Sequence, residues 1–509
     1  MPRFAAIDIG SNAMRLRVVE ASHPTDANAF AEVESRRAAV RLGADAFTTR
    51  ELSPDALRAA CVALREFRKV IEDTGVVAYR ATATSAVRET RNAEVLVERA
   101  RREADIHLEV IEGVEEARIL QLAVSRKLAL AGRTVWLADV GGGSTEMTRL
   151  ESGTARFSTS LPLGTVRLLG MFLAGTSDID AHHQTLLVEA IDRTLSEIPS
   201  REWAAEKHAL IATGGNVETL ASLIPSAQKV LGTKAIDVAA LRGLLPKLCA
   251  MSTDDRRVSF NLRPDRADTL VPAATIFLRV AERLGVTQIA APGVGLKEGL
   301  LIELVERHFQ LWDENAQDQL TLDACLALGR RFGFDEEHAR SVDNLCAQLF
   351  DDLAPLHEMS AREKLLLRAS AWLHDVGDRI RYEGHHKHSQ YIVEHSDIMG
   401  LSRLERTMVS LVARYHRKGE PKDENPGFKD LSREHRLIVR KITAILRIAD
   451  ALDKEHLGRV NGVRAQVHEP RKQVSLRLSG KGDRALEEWA LTDKAKLFET
   501  LFDYRVTLA

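Results

Sequence analysis

The chain has 509 residues, of which 45% are hydrophobic and 28% charged, the balance expected of a soluble globular protein of three or four domains. Lys and Arg number 71 against 73 Asp and Glu, so a net charge of −2 excludes a surface given over to nucleic acid, and no nucleic-acid partner is expected. No apolar run approaches the roughly 20 residues a membrane span needs, and a strand pattern already at Phe4 leaves no room for a signal peptide. Cys61, Cys249, Cys325 and Cys346 form no CxxC pair, so reduced thiols in the cytoplasm are expected.

In chain order, short apolar runs alternate with helical stretches up to about residue 305. Strands are expected at Phe4–Ile9 and Arg15–Glu20, then a helix over Pro54–Thr74 with Ser53 as N-cap and Pro54 at its first position. Strands follow at Val76–Thr82 and Leu108–Ile111, a helix at Glu115–Leu130, and strands at Thr134–Val140, His208–Thr213 and Thr287–Pro292. This alternation predicts α/β layers around a central sheet. Beyond about residue 315 amphipathic helices dominate to about 456, and the alternating stretch Lys472–Gly480 predicts a small terminal sheet. The expected domains are 1–130, 131–308 and 316–509.

A repeat runs through the first half. "AAIDIGSNAMRLRVVE" and "WLADVGGGSTEMTRLE" each read as strand, Asp, small-residue turn and second strand. Asp8 and Glu20 are 12 positions apart, as are Asp139 and Glu151, and the two aspartates are separated by 131. Internal duplication is the economical reading, with two α/β copies facing across a cleft.

Glycine lets backbone amides approach a ligand closely and adopt positive φ, and clustered amides suit phosphate oxygens. Gly141, Gly142, Gly143 and Ser144 are expected to form one such nest, and Gly10, Ser11 and Asn12 its twin. A third is expected at Gly214 and Gly215, where Asn216 would cap the next helix. Asp8 and Asp139 end strands beside these nests, which calls for a cation between carboxylate and phosphate, and Mg²⁺ fits. Asp139 and Glu146 are the expected metal-organising pair, with Asp8 at the phosphate. Tight hairpins without a ligand are the alternative for any single turn.

"AIDIGSNAMRL", "ATATSAVRETRN", "VIEGVEEARI", "LADVGGGSTEM", "LPLGTVRL", "ATGGNVETLA" and "GVGLKEGLL" occur in this order over roughly residues 4–304. Together they resemble the exopolyphosphatase / guanosine pentaphosphate phosphohydrolase (Ppx–GppA) family. The resemblance implies two duplicated actin-like (ribonuclease-H-like) lobes with an interlobe cleft, and a homodimer. It implies Mg²⁺-dependent removal of terminal phosphate from polyphosphate, with guanosine pentaphosphate as the alternative substrate. Glu116, in "EEAR", takes the place of the catalytic base, with its neighbour Glu115 as the fallback. Arg88, in "SAVRE", takes that of a phosphate-binding arginine, and Arg266 lies in a further family-like stretch. Ala13 stands where Ser or Thr is more usual, and Ala273 and Ala274 where small glycines are. Sugar or acetate kinases and chaperone ATPases share the two-lobed plan but lack "EEAR" and "TSAVRE". A polyphosphate or alarmone sensor would keep the nests and lose the base.

In the second half, His338, then His374 and Asp375 in "AWLHDVGD", then Asp450 resemble in order the HD phosphohydrolases. The resemblance implies an all-α HD-like domain and a second divalent metal held by this tetrad. His385, His386, His388 and His416 would add ligands or phosphate contacts. The alternative is a structural domain whose His-Asp pair is a satisfied polar cluster. "HHKHS" (His385–Ser389) and "RYHRKG" (Arg414–Gly419) are locally basic and would make a track for a polyanion.

Overall fold

In the computed structural model the chain forms two compact units, Met1–Asp313 and Glu314–Ala509. The structure describes every residue except 23–29, 174–178, 204–207, 225, 227–228, 418 and 484, and gives no side chain for Arg201.

The first unit holds two sheets of one plan. Strands β1 (Arg3–Ile9), β2 (Met14–Ala21), β3 (Phe30–Ala38), β4 (Ala78–Ala83) and β5 (Leu108–Val110) lie in the order β3-β2-β1-β4-β5. Strands β6 (Thr134–Val140), β7 (Thr145–Glu151), β8 (Thr154–Leu161), β9 (Ala209–Thr213), β10 (Lys234–Asp237) and β11 (Gln288–Ala291) lie in the order β10-β11-β9-β6-β7-β8. In each sheet the first strand pairs antiparallel with the next and parallel with the fourth of its series, β1 with β2 and β4, β6 with β7 and β9. The duplication expected from the repeated motif is therefore present in topology, with β10 an added edge.

Strands β1 and β6 are buried along almost their whole length because both faces are covered, which is why they read as continuous apolar runs. On one face of β1, Ala5, Ile7 and Ile9 pack with Leu57, Leu64 and Phe67 of the helix Pro54–Asp73. Ser53 caps that helix, its Oγ accepting from the Ala56 amide at 3.2 Å. On the other face, Phe4 and Ala6 pack with Ile119 of the helix Gly113–Lys127 and with Leu300 and Val305 of the helix Leu296–His308. That last helix lies within the stretch 131–308 expected to form the second lobe, yet it covers the first sheet.

Of the first unit's described strands, the three absent from the sequence reading, β3, β8 and β10, are all sheet edges. Edge strands bury little, and β3 (FAEVESRRA) has no fully buried residue. It carries charge instead of apolar alternation, as edges that resist aggregation do.

Among the described residues the second unit packs seven helices of ten or more residues around one core: Glu314–Phe332, Glu336–Asp352, Ala361–Leu373, His385–Glu394, Arg403–Tyr415, Arg433–Ala451 and Ala485–Lys494. Strands β12 (Val460–His468) and β13 (Gln473–Gly480) pair antiparallel, and β14 (Arg505–Leu508) joins β13 in parallel. No helix among the described residues is long and apolar enough to cross a membrane.

Candidate active site

The β1–β2 and β6–β7 hairpins have the same register. Asp8 faces Arg15, and Asp139 faces Glu146. In the first copy the cross-strand pair is a salt bridge, Arg15 Nη1 to Asp8 Oδ2 at 3.3 Å. In the second it is two carboxylates, an arrangement that costs stability unless positive charge lies between them. Asp8 is thus neutralised by the chain itself, and the need for a cation falls on Asp139 alone of the two repeated aspartates.

The helix Gly113–Lys127 supplies a third carboxylate. A Cβ on Gly113 would stand 2.4 Å from Ser160 of β8, so only glycine lets the helix start against this sheet. Its first turn then places Glu116 beside Asp139 and Glu146, with one carboxylate oxygen from each lying within 4.8 Å of the others. Ser144 Oγ and Ser160 Oγ donate to Glu146 Oε1 at 2.7 and 2.9 Å, and Thr213 Oγ1 donates to Asp139 Oδ1 at 2.5 Å. Glu146 Oε2 and Glu116 Oε2 are buried with no hydrogen-bond partner. Buried orphan oxygens are rare in folded proteins. Oxygens of this kind, converging on one point, fit a hard divalent cation.

Burial pushes all three acids up. Asp139 rises to about 6, burial outweighing the Thr213 hydrogen bond. Glu146 rises to about 7 through burial and the charge of Asp139. Glu116 stands well above its ordinary value through burial and then Glu146, with Arg88 opposing. Acids whose folded-state pKa is raised do not destabilise the fold below their unfolded values near 4. Their cost builds as pH climbs above those unfolded values and is complete once it passes the folded ones, here about 6 and 7. Millimolar Mg²⁺ is therefore expected to raise the melting temperature more at pH 8 than at pH 5, its stabilisation of the fold at a hundredfold excess over Kd being about 2.7 kcal/mol. A calorimetric scan with equal shifts at the two pH values, or none, would contradict this.

Around the carboxylates opens a cleft of about 270 Å³, lined by both hairpin turns and by the residues opening two helices, Gly215–Leu223 and Leu296–His308. Gly214, at φ +96°, begins the first of these without any side-chain cap, so its end presents amides and positive dipole. A Cβ on Gly215 would sit 2.1 Å from Arg266 Nη2, so glycine here admits the guanidinium. Arg266 Nη1 donates to Asn216 Oδ1 at 2.9 Å, and Arg266 has no carboxylate partner among the described residues. Burial, then the charge of Arg15, lowers it to about 10. A desolvated cation without a counter-anion, beside a helix N-terminus, has the chemistry that suits a phosphate oxygen.

Several expectations change. Asn216 lies inside its helix and accepts from Arg266 instead of capping. Gly10, Gly141, Gly142 and Gly143 do not have positive φ. Gly10 and Gly141 spend their N–H groups closing the turns, on Ala13 O at 3.2 Å and Ser144 O at 3.0 Å. Gly142 and Gly143 admit neighbours: a Cβ on Gly142 would be 2.7 Å from Ser11 Cβ, and one on Gly143 2.1 Å from Phe47 Cζ. Gly143 does not line the cleft, whereas Ser11, Gly142 and Ser144 do. The Asn12 side chain is spent on Asp265 O at 3.0 Å and on Arg41 Nε at 2.9 Å. Arg88 lies back from the cleft wall, donating to Ile111 O at 2.7 Å and standing 4.0 Å from Glu116. Glu115 is not brought to the cleft: both its oxygens accept from Arg118, at 2.7 and 2.8 Å. Arg15 was missed, although its offset from Asp8 equals that of Glu146 from Asp139.

In the second unit the expected tetrad is brought together. His338 opens the helix Glu336–Asp352, His374 closes Ala361–Leu373, and Asp450 lies at the end of Arg433–Ala451. His338, His374 and Asp450 form one possible ligand group, and Asp375, His385 and His416 a second. His385 and His416, read as parts of a basic track, are buried and turned inward, and Lys418 lies outside the described residues.

Residues 19–308 match the model of the Ppx/GppA phosphatase family, and residues 323–495 that of Ppx/GppA phosphatase, domain III. A guanosine-5'-triphosphate,3'-diphosphate pyrophosphatase of Aeromonas hydrophila is 26% identical over 449 residues, 88% of this chain and 87% of the relative. The protein of that name in Vibrio campbellii is 26% identical over 422 residues, 82% of this chain and 81% of the relative. The crystal structure of the Aquifex aeolicus Ppx/GppA family member covers 60% of this chain and 98% of its own, with TM-score 0.51 and 26% identity. An exopolyphosphatase structure from Cytophaga hutchinsonii shares the fold, with TM-score 0.54, 23% identity, and coverage of 60% of this chain and 98% of its own.

Proposed function

The chain belongs to the Ppx/GppA phosphatase family, and from that premise we propose that it is an exopolyphosphatase, hydrolysing the terminal phosphoanhydride of linear polyphosphate in the cleft. The observation that carries this reading is the set of three buried carboxylates, two of them with orphan oxygens, facing a desolvated arginine across one cleft.

Arg266, the amides opening the helix Gly215–Leu223 and the tips of the two hairpins hold the terminal phosphate. A divalent cation on Asp139 and Glu146, proposed as Mg²⁺, supplies positive charge to the phosphate oxygens when bound. Glu116 accepts a proton from the attacking water, its raised pKa bringing it towards the operating pH. The water oxygen bonds to the terminal phosphorus, the bridging P–O bond breaks, and the shortened chain leaves with that bond's electrons. Arg88 steadies the Glu116 carboxylate from 4.0 Å.

No described residue lining the cleft is aromatic, and a lining of backbone amides, carboxylates and arginines suits recognition through phosphates, which favours polyphosphate. The names of the relatives that span most of the chain favour a second reading, guanosine pentaphosphate. Phosphate release should be followed on long-chain polyphosphate and guanosine pentaphosphate in parallel, with Mg²⁺. Faster release from polyphosphate is expected. Release from guanosine pentaphosphate alone would make the second reading the function, and silence on both would refute hydrolysis.

A further inference from the structure

The glycine turn between β6 and β7 rests on the helix Thr165–Phe172 through its carbonyls. Gly141 O accepts from the Thr165 amide at 3.0 Å, and Gly142 O from the Val166 and Arg167 amides at 2.8 and 3.0 Å. The third carbonyl, Gly143 O, is met by the Arg167 side chain, Nε donating at 2.8 Å. A Cβ on Gly164 would stand 2.3 Å from Gly142 O, so only glycine before this helix lets the turn settle onto it.

A trans peptide holds its C=O and N–H on opposite sides. Carbonyls that face the helix therefore turn the following amides, those of Gly142, Gly143 and Ser144, away from it. None of these three amides donates to a described residue. Gly142 and Ser144 line the cleft, whereas Arg167 does not. Helix amides fix the first two peptides, and Arg167 fixes the third, which ends in the Ser144 N–H. A carbonyl bonded to a cation also polarises its peptide and makes that N–H a stronger donor.

The guanidinium is itself aimed by residues that precede β6. Nη2 donates to both carboxylate oxygens of Glu89 at 2.7 Å, and Cζ lies 4.2 Å from the centre of the Phe47 ring. Phe47 packs against the core of the first sheet. The Glu89 side chain is 37% exposed, so the ion pair adds little stability of its own. Its effect is to hold the fork in one plane, with Nε on Gly143 O.

On the proposed hydrolysis in the cleft, we infer that Arg167 is a positioning residue of that reaction. Through Gly143 O it aims the Ser144 amide at the oxygens of the terminal phosphate, without touching substrate itself. Loss of its side chain releases one peptide and leaves the rest of the turn on the helix.

Gly10–Ser11 and Gly143–Ser144 are the two Gly-Ser steps of the chain. Full-length protein with ¹³C at the glycine carbonyls and ¹⁵N in serine therefore gives two amide signals in a carbonyl-edited NMR spectrum, and Ser11→Ala identifies that of Ser144. With Mg²⁺ present, inorganic phosphate should move the Ser144 amide proton downfield in the wild type, and much less in Arg167→Ala. Phosphate release from polyphosphate by Arg167→Ala should fall roughly 10–100-fold, mostly in kcat, less than the roughly 10²–10³-fold cost of deleting an oxyanion donor itself. Its melting temperature should stay near that of the wild type. Arg167→Lys should regain little, because an ammonium does not reproduce the planar fork. Glu89→Gln keeps an acceptor for the fork and leaves Nε on Gly143 O, so it should cost far less than Arg167→Ala. An active wild type whose Ser144 signal ignores phosphate, or an Arg167→Ala enzyme as fast as the wild type, would overturn the inference. So would equal losses in Glu89→Gln and Arg167→Ala, the mark of a simple tie to the first sheet. A wild type silent on polyphosphate would instead sink the reading of hydrolysis on which the inference stands.

Discussion

The Glu116→Gln enzyme is expected to turn over roughly 10²–10⁴-fold more slowly than the wild type while binding substrate about as well. Glutamine keeps the shape and removes the proton acceptor. The carboxylates beside it are otherwise engaged: Asp139 Oδ1 accepts from Thr213, Glu146 Oε1 from Ser144 and Ser160, and Asp8 is paired with Arg15. The loss should appear in kcat, because Glu116 is not among the groups that hold phosphate. Without cation the variant should also be slightly more stable than wild type near neutral pH, since one of three crowded buried acids is gone. Glu115→Gln is the control. Its partners are Arg118 and Arg80, so the change should leave kcat near wild type. Phosphate-release kinetics of the two variants side by side decide the matter, and equal losses would remove Glu116 from the role.

Arg266→Ala is expected to raise KM for polyphosphate by roughly 10–150-fold, the equivalent of one charge-assisted hydrogen bond worth about 1.5–3 kcal/mol. Arg266→Lys should recover little, because a point charge does not reproduce the planar fork. Gly215→Ala gives an independent reading of the same contact. Its new Cβ would occupy the place of Arg266 Nη2, so it should lower affinity in the same direction without removing a charge. An unchanged KM in both Arg266→Ala and Gly215→Ala would show that the arginine does not hold the phosphate.

The central strands were legible because they are covered on both faces: Phe4–Ile9 and Thr134–Val140 could hardly be anything but interior strands. Edge strands β3 and β10 were not, since an edge carries no continuous apolar signal. The repeated motif pointed to the paired hairpins and the cleft, and the resemblance pointed to Glu116. Periodicity does not report what a glycine is for. Gly142, Gly143 and Gly215 make room for Ser11, Phe47 and Arg266, residues distant in sequence, and that is visible only once the chain has folded. Nor does it report direction. His385 and His416 sit in basic-looking stretches, yet tertiary packing turns them inward onto Asp375.

The most direct test of hydrolysis in the cleft is the isotopic composition of phosphate released from polyphosphate in ¹⁸O-enriched water. Attack of water on the terminal phosphorus places one solvent oxygen in every released phosphate, and that is the expected result. Unlabelled phosphate, or label carried by the shortened chain, would contradict it.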